Sequence, residues 1–437
     1  MRFVKPYVYP FETCTKGRWH GRTLAEVYGT EFGAHSPGYY VKAIEQGRIT
    51  VNGEAVSPSF VLRGGERICH YTHRHEPPVR GTQPDEIEIV ADTADLVVVN
   101  KPSTVPMHPC GAYKYNSMMH ILDDVREGEG LHIVHRLDRL TAGLALFAKT
   151  PEVAKRFGED LRAGHTQKTY LARVIGDFGA SFPAKWFRSD KGLLEADATQ
   201  LGWAAVSMDT LSMQEAAAAV QSMASSVRIQ QSIKCASHRD GVHVCAAKEP
   251  ADSAAVARDE SAKEATTIFT KLSFNGHTSL VECHPLHGRT HQLRLHLQHM
   301  GHPIANDPCY GGTLHYGDPL GGIPDFGGIG TALATEGNAE SKASSAVEAV
   351  ESDDDAQYTA PREEGEDLEA FLVRTCRFCH RGRKRRPGEA DQSLHCGGIW
   401  LHALRYTRSD PATPSSDWSF ETRLPVWAAE GFEEEGR

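Results

Sequence analysis

The chain has 437 residues, 40% of them hydrophobic and 24% charged, with a net charge of −10 and ten cysteines. A chain of that length holds about two to three domains, and its apolar content is that of a folded globular protein rather than a disordered one. No apolar run approaches the length of a membrane span, and so few cysteines over such a length do not form a disulfide framework.

The negative charge is unevenly placed. Residues 331–370 hold twelve acidic and two basic side chains, enough to account for the whole net charge. Residues 1–82 carry eleven Lys/Arg against seven Glu, with five histidines besides. That region is compatible with a phosphate-facing surface. The opening Met1-Arg2-Phe3-Val4-Lys5-Pro6-Tyr7 has neither an apolar signal core nor an Arg/Ser-rich presequence, which favours a cytoplasmic or nuclear protein.

In chain order, residues 20–70 read as two helices and then short strands. Leu24, Val27 and Tyr28 fit a first helical face. Ser36-Pro37 is a cap followed by proline at the first helical position. Tyr40, Ala43 and Ile44 continue at helical spacing, and Gly47 ends the turn. Ile49 and Val51 alternate as in a strand, and Asn52-Gly53 signals a hairpin. Leu96 to Val99 is a buried strand by its continuous β-branched run. It delivers Asn100-Lys101-Pro102 and a proline-rich loop that reaches Pro109.

The run His135-Arg136-Leu137-Asp138-Arg139-Leu140-Thr141-Ala142-Gly143 then feeds an apolar strand, with Gly143 permitting a sharp bend. Asp138 stands between two arginines, whose charge favours an ionised carboxylate, better suited to a nucleophile or base than to a proton donor. Taken alone, an Asp-Arg dipeptide is more often a surface ion pair. Thr150-Pro151 opens a helix with Val153, Phe157 and Leu161 on its inner face, and Gly164 stops it. Lys168 to Val174 alternates as a strand, with Tyr170, Ala172 and Val174 on one side. A tyrosine there is ordinarily core packing.

From 203 to about 262 the periodicity lapses. Residues 208–223 could form a helix, and the Ala/Ser-rich remainder reads as a mobile insertion in a surface loop. Ile268–Phe274 and Ser279–Cys283 form a hairpin around Asn275-Gly276. Thr290 is placed to cap a helix whose Leu293, His296, Leu297 and Met300 share one stripe. Gly301 and Pro303 close that helix. Arg289 and Arg294 lie at its N-terminus, off the stripe. Residues 313–370 are Gly-rich and then acidic, a disordered linker by composition. Ile399 to Leu404 restores strand character.

Cys376-x-x-Cys379, with His380, His395 and Cys396 nearby, is a candidate zinc site, since two thiolates can share one metal from a tight turn. Cys376, Cys379 and Cys396 are the expected ligands. Ordinary thiols are an equally good reading, because the second half lacks the usual spacing. The basic run Arg381-Gly382-Arg383-Lys384-Arg385-Arg386 between the halves reads as an RNA contact, a nuclear signal or a solvated loop.

Three segments resemble the signature motifs of the RluA-type pseudouridine synthases: Asn100-Lys101-Pro102 through Pro109, His135 through Gly143, and Pro285-Leu286-His287-Gly288-Arg289-Thr290-His291-Gln292-Leu293-Arg294-Leu295-His296-Leu297. Lys168-Thr169-Tyr170 falls where that family carries its K-x-Y. Lys16-Gly17-Arg18-Trp19, Gly47 to Gly53 and His73-Arg74-His75-Glu76-Pro77-Pro78-Val79 further resemble the eukaryotic branch that modifies position thirty-two of the tRNA anticodon loop. The resemblance covers about residues 1–200, 262–315 and 397–427.

It implies an α+β fold: a mixed, largely antiparallel-sheet catalytic domain over 83–437, with insertions at 203–262 and 316–395, behind a small alpha-L RNA-binding module over 1–82. That module would set Lys42, Arg48 and Arg67 near phosphates. The implied reaction isomerises a uridine of RNA to pseudouridine. It is redox-neutral and adds no external group, so no catalytic cofactor is expected. Asp138 would be the catalytic carboxylate. Arg136 would fill the space left by the flipped base, Tyr170 would stack on that base, Leu293 would pack against it, Arg294 would pair with Asp138, and Arg289 would contact substrate. The expected partner is RNA, chiefly tRNA, bound by a monomer away from membranes. The alternatives are an rRNA- or mRNA-directed synthase and, in another class, a catalytically inactive RNA-binding protein. A nucleobase deaminase is disfavoured because its H-x-E and P-C-x-x-C pair is missing.

Overall fold

The structure is a computed structural model. It describes residues 1–33, 35–80, 87–179, 226–237, 242–246, 261–312, 361–363, 365–376, 379, 397–409, 417–429 and 432. The chain divides into two compact units, one of Phe3–Pro77 with Thr335–Gln392, the other of Met1–Arg2, Pro78–Ala334 and Ser393–Arg437.

In the first unit, β1 (Tyr7–Cys14) is followed by α1 (Leu24–Glu31), α2 (Pro37–Glu45), β2 (Ile49–Val51), β3 (Glu54–Ala55) and β4 (Arg67–Arg74). The four strands form a sheet in the order β1-β4-β2-β3. Thr23 and Glu26 make a reciprocal capping box at the start of α1. The Ser36 hydroxyl accepts from the Tyr39 amide, with Pro37 in the first turn of α2. Leu24, Val27, Tyr28, Tyr40, Ala43, Ile44, Ile49 and Val51 are all buried in one cluster, as their spacing requires. Asn52 and Gly53 take φ of 54° and 86°, the left-handed pair of a tight hairpin turn. Arg48 departs from expectation. It is 4% exposed, donates to the Tyr39 hydroxyl at 3.2 Å and lies over that ring, so its guanidinium is packed inside the module rather than turned to phosphate. Lys42 is half-buried and Arg67 is exposed.

The second unit is built on a ten-stranded mixed sheet. Its elements are β5 (Glu88–Asp92), β6 (Leu96–Lys101), α3 (Met118–Val125), β7 (His132–Ile133), β8 (Ala142–Ala148), α4 (Pro151–Ala163), β9 (Thr166–Ile175), β10 (Ser226–Gln230), β11 (Ile233–Ser237), β12 (Val242–Cys245), β13 (Thr266–Phe274), β14 (Thr278–Pro285), α5 (Gln292–His299), β15 (Leu401–Arg408) and β16 (Trp418–Glu421). The sheet order is β10-β13-β14-β9-β15-β8-β6-β5, with β7 on β8 and β16 on β15, while β11 and β12 pair separately. β15 runs antiparallel to β9 and parallel to β8. Both faces of the central strands are buried: Leu144 to Ala148 and Val97 to Val99 are at most 1% exposed. Thr150 caps α4 and Gly164 ends it at φ 80°, as the sequence predicts.

Three expectations need correction. The stretch 203–262 is not featureless, for β10 joins the main sheet beside β13, and β11 and β12 follow. These strands are only four or five residues long. In β10, Val227 and Ile229 alone are apolar, too little alternation to register between Ala/Ser tracts. The expected helix at 208–223 lies outside the described residues. At the C-terminal boundary of the composition-defined linker 313–370, its last three residues begin a short helix α6 (Leu368–Arg374), capped by Asp367 and buried through Phe371 and Leu372. The rest of that linker before residue 361 lies outside the described residues. Finally, Thr290 does not cap α5. His291 occupies the cap position at φ 56°, with no side-chain cap, and the Gln292 side chain instead accepts from the Arg289 amide at 3.0 Å.

Candidate active site

The turn carrying Asp138 lies between β7 and β8 and is closed by the Thr141 amide donating to the Asp138 carbonyl at 3.1 Å. Gly143 then enters β8 at φ 109°, where a Cβ would come within 2.2 Å of the Ala403 carbonyl oxygen. Only glycine fits that close parallel approach of β8 to β15. His135 anchors the other side. It accepts from the Leu146 amide at 3.2 Å and packs on Tyr406. Burial pulls its pKa down to about 3, so it is a neutral structural imidazole.

Lys101, at the end of β6, is completely buried. Its ammonium donates to the carbonyls of Pro102 at 2.9 Å, Val105 at 2.8 Å and Arg139 at 3.3 Å. Three acceptors match its three N–H groups. Burial lowers its pKa to about 7, opposed by the nearby charge of Asp138. Lys101 thereby ties the proline-rich loop to the turn that bears Asp138.

The Asp138 carboxylate is 27% exposed and meets the far motif. It accepts from Arg294 Nη1 at 3.4 Å, and His291 Nε2 stands 3.8 Å away. The flanking Arg136 and Arg139, expected to hold it, make no ion pair with it among the described residues; Arg136 is exposed and Arg139 lies over the Tyr113 ring. Neighbours in sequence diverge in a turn, whereas a helix docked from elsewhere can aim a side chain inward.

Arg294 is 3% exposed on α5 and makes a two-pronged pair with Asp307, Nε to Oδ2 at 2.6 Å and Nη2 to Oδ1 at 2.9 Å. Burial alone would lower its pKa, but the hydrogen bonds and charge of Asp307 outweigh it and raise the value. Asp307 is fully buried and also accepts from the Cys309 amide. The Arg294 guanidinium lies over the Tyr310 ring, whose hydroxyl meets His291 Nδ1 at 2.7 Å. Burial takes His291 down to about 4, so it is neutral at physiological pH.

Tyr170, on β9, shares a cleft with Asp138, Arg136, Arg289, Leu293 and Arg294; Lys168, His287 and His291 also line it. Tyr170 and Leu293 are buried, while Arg136 and Arg289 are exposed at the rim. The Tyr170 hydroxyl meets that of Tyr406 at 2.6 Å, and burial raises its pKa. All six residues singled out for substrate chemistry from the sequence thus line one cleft. No individual role in the site was expected of His291, Asp307, Tyr310, Lys101 or Tyr406. Two carried a usable signal: a lysine ending an apolar strand, and an aspartate in the turn-rich stretch that follows a helix holding one arginine and two histidines.

Of the expected metal ligands, Cys376 and Cys379 lie in the other unit. Cys396 and the basic run 381–386 lie outside the described residues.

Comparison with known proteins places the chain in a family. Residues 95–299 match the family model of RNA pseudouridylate synthases, and residues 32–68 match the S4 domain. The mitochondrial tRNA pseudouridine(32) synthase of Saccharomyces cerevisiae is 31% identical over 433 residues, covering 98% of this chain and 77% of that protein. RNA pseudouridine synthase 7 of Arabidopsis thaliana is 31% identical over 428 residues, covering 98% and 86%. Mouse pseudouridylate synthase RPUSD2 is 36% identical over 314 residues, covering 72% of this chain but 46% of that protein. Among solved structures, human RNA pseudouridylate synthase domain containing 4 aligns with a TM-score of 0.38 at 19% identity, covering 78% of this chain and 90% of that one. The chain belongs to the RluA-type RNA pseudouridine synthases, isomerases that act on RNA, and carries an S4 module ahead of its catalytic domain.

Proposed function

We propose that this enzyme makes pseudouridine in the anticodon loop of tRNA, at position thirty-two, with Asp138 as the catalytic carboxylate. The observation that carries the assignment is the approach of Arg294 to Asp138 at the floor of a cleft walled by Tyr170. The position is suggested by the relative named a tRNA pseudouridine(32) synthase, which aligns over nearly the whole chain.

The reaction breaks the bond between N1 of uracil and the sugar, turns the base and joins C5 to the same sugar carbon. A uridine stacked in RNA cannot reach a carboxylate in a cleft, so the nucleotide swings out of its stack to react. Arg136, exposed at the rim, takes the space the base leaves. Tyr170 and Leu293 hold the uracil ring between an aromatic and an aliphatic face. Arg294 aims the Asp138 carboxylate through a charge-assisted hydrogen bond. The exposed Arg289 meets the RNA backbone, and the S4 module adds phosphate contacts that supply affinity and register rather than sequence reading.

The test maps pseudouridine in total RNA from cells with and without this protein, and in tRNA transcripts treated with purified enzyme. Loss at position thirty-two, restored by the wild-type chain and not by Asp138→Asn, is expected. Loss only in ribosomal or messenger RNA would overturn the substrate assignment. Near-normal turnover by Asp138→Asn would overturn the assignment of the carboxylate.

A further inference from the structure

His73 and His75 flank Arg74 at the end of β4, and residues two apart on an extended chain face the same way. Cys376 comes just after the Thr375 cap of α6, and Cys379 lies three residues on. These four side chains converge within the unit that holds the S4 module. His75 Nε2 is 3.2 Å from His73 Nδ1, 3.3 Å from Cys376 Sγ and 3.5 Å from Cys379 Sγ. Cys379 Sγ is also 3.5 Å from His73 Nδ1. All four ligand atoms lie within 4.8 Å of one another.

Hydrogen bonding does not account for this packing. A ring nitrogen offers one proton or one lone pair, yet three polar atoms crowd His75 Nε2. A shared cation satisfies them together. A tetrahedral zinc with bonds of about 2.0–2.1 Å to nitrogen and about 2.3 Å to sulfur sets its ligands about 3.3 Å apart for two nitrogens and about 3.6 Å for nitrogen and sulfur. The four measured separations fall within a few tenths of an ångström of those edges. Two thiolates also balance the charge of a divalent ion, so the half-buried site carries no net charge. Thiolate and imidazole select zinc over magnesium or calcium.

We propose that His73, His75, Cys376 and Cys379 bind one zinc ion, and that this ion fastens the segment around α6 to the last strand of the S4 unit. Four protein ligands leave no open position, which makes the site structural rather than catalytic. The ligand set differs from the one the cysteine spacing alone suggests. Two histidines some three hundred residues upstream in the chain take the place of Cys396.

The test measures metal content and the spectrum of the cobalt-substituted full-length enzyme. Purified protein should hold about one zinc per chain, and cobalt should give tetrahedral d–d bands with a thiolate charge-transfer band. Cys376→Ser and His75→Ala should each weaken zinc retention about tenfold or more, while Cys396→Ser retains it fully. His75→Cys should keep zinc and the fold and strengthen the charge-transfer band, which separates a lost ligand from a misfolded variant. Asp138→Asn should keep its zinc, so this readout is independent of the catalytic assignment. Protein without stoichiometric zinc and without a cobalt–thiolate spectrum would overturn the site. Zinc lost with Cys396 but kept without His75 would overturn this ligand set.

Discussion

Arg294 is shared unequally between two carboxylates: Asp307 takes two hydrogen bonds, at 2.6 and 2.9 Å, and Asp138 takes one at 3.4 Å. Arg294 and Asp307 are sealed from solvent, whereas Asp138 faces the cleft. The inner pair is fixed, and Nη1 of the same guanidinium points at the carboxylate that substrate can reach.

Removing one member of a buried ion pair costs about 3–5 kcal/mol, because the other charge is left without compensation. Asp307→Asn keeps the shape and removes the charge, so it should lower the melting temperature markedly. Arg294→Lys keeps the charge but cannot make the two-pronged pair. It should cut turnover by about a hundredfold while RNA affinity changes little. Thermal melts and single-turnover kinetics read the two effects. A melting temperature unmoved by Asp307→Asn would show that the inner pair does not brace the site.

The ring and the hydroxyl of Tyr170 have separate duties. Tyr170→Phe leaves the buried Tyr406 hydroxyl without its 2.6 Å partner, at a cost of about 1–3 kcal/mol in stability. Turnover should stay near the wild-type value because the ring remains. Tyr170→Leu should lower kcat/KM by about ten- to a hundredfold, the worth of one base–aromatic stack. Equal losses in both variants would rule out the ring as a platform for the base.

Lys101→Met preserves much of the side chain's bulk but leaves the carbonyls of Pro102, Val105 and Arg139 without their shared donor. A stability loss of about 3 kcal/mol is expected. Turnover should fall about tenfold with KM unchanged, since the slackened turn carries Asp138. Wild-type stability and turnover in this variant would count against the tether.

Burial lowers the pKa of His70 and His135 to about 3, and of His291, His296 and His402 to about 4. An unfolded histidine titrates near ~6.5. Below that value the unfolded chain binds protons that the native one refuses, so stability falls as pH falls. It is full above about pH 6.5 and is lost progectively toward the folded values, at up to ~1.4 kcal/mol per pH unit for each group. Calorimetry in two buffers near ~pH 5.5 should record an uptake of about three to five protons on unfolding. An uptake near zero would mean that these imidazoles already carry charge in the native protein.

Much of this was legible in the chain, and the reasons are local. The caps at Thr150 and Ser36 need a short side-chain oxygen that few residues carry, and the turn at Asn52-Gly53 and the glycine at 143 need a positive φ that few residues adopt. The substrate cleft was legible because Asp138, Tyr170 and Arg294 each sit in a distinctive run. What escaped depends on distance in space. Asp307 is inconspicuous until α5 brings Arg294 against it, and His291 reads as a helix residue until its backbone turns left-handed. β10 was missed because an edge strand needs little apolar alternation. Arg48 was misassigned because charge density says nothing about which cations fold inward onto a ring.

The strand that seats Gly143 is also among the last to be made. β15 fills the gap between β8 and β9, so a ribosome must release more than 220 residues after β9 before the sheet can be completed. Until then both inner strands present bare hydrogen-bonding edges, a template for joining another nascent chain. Such late, long-range pairing also slows folding. Chaperone demand should therefore peak near the end of translation, and a chain interrupted before residue 401 should aggregate rather than yield a weak enzyme.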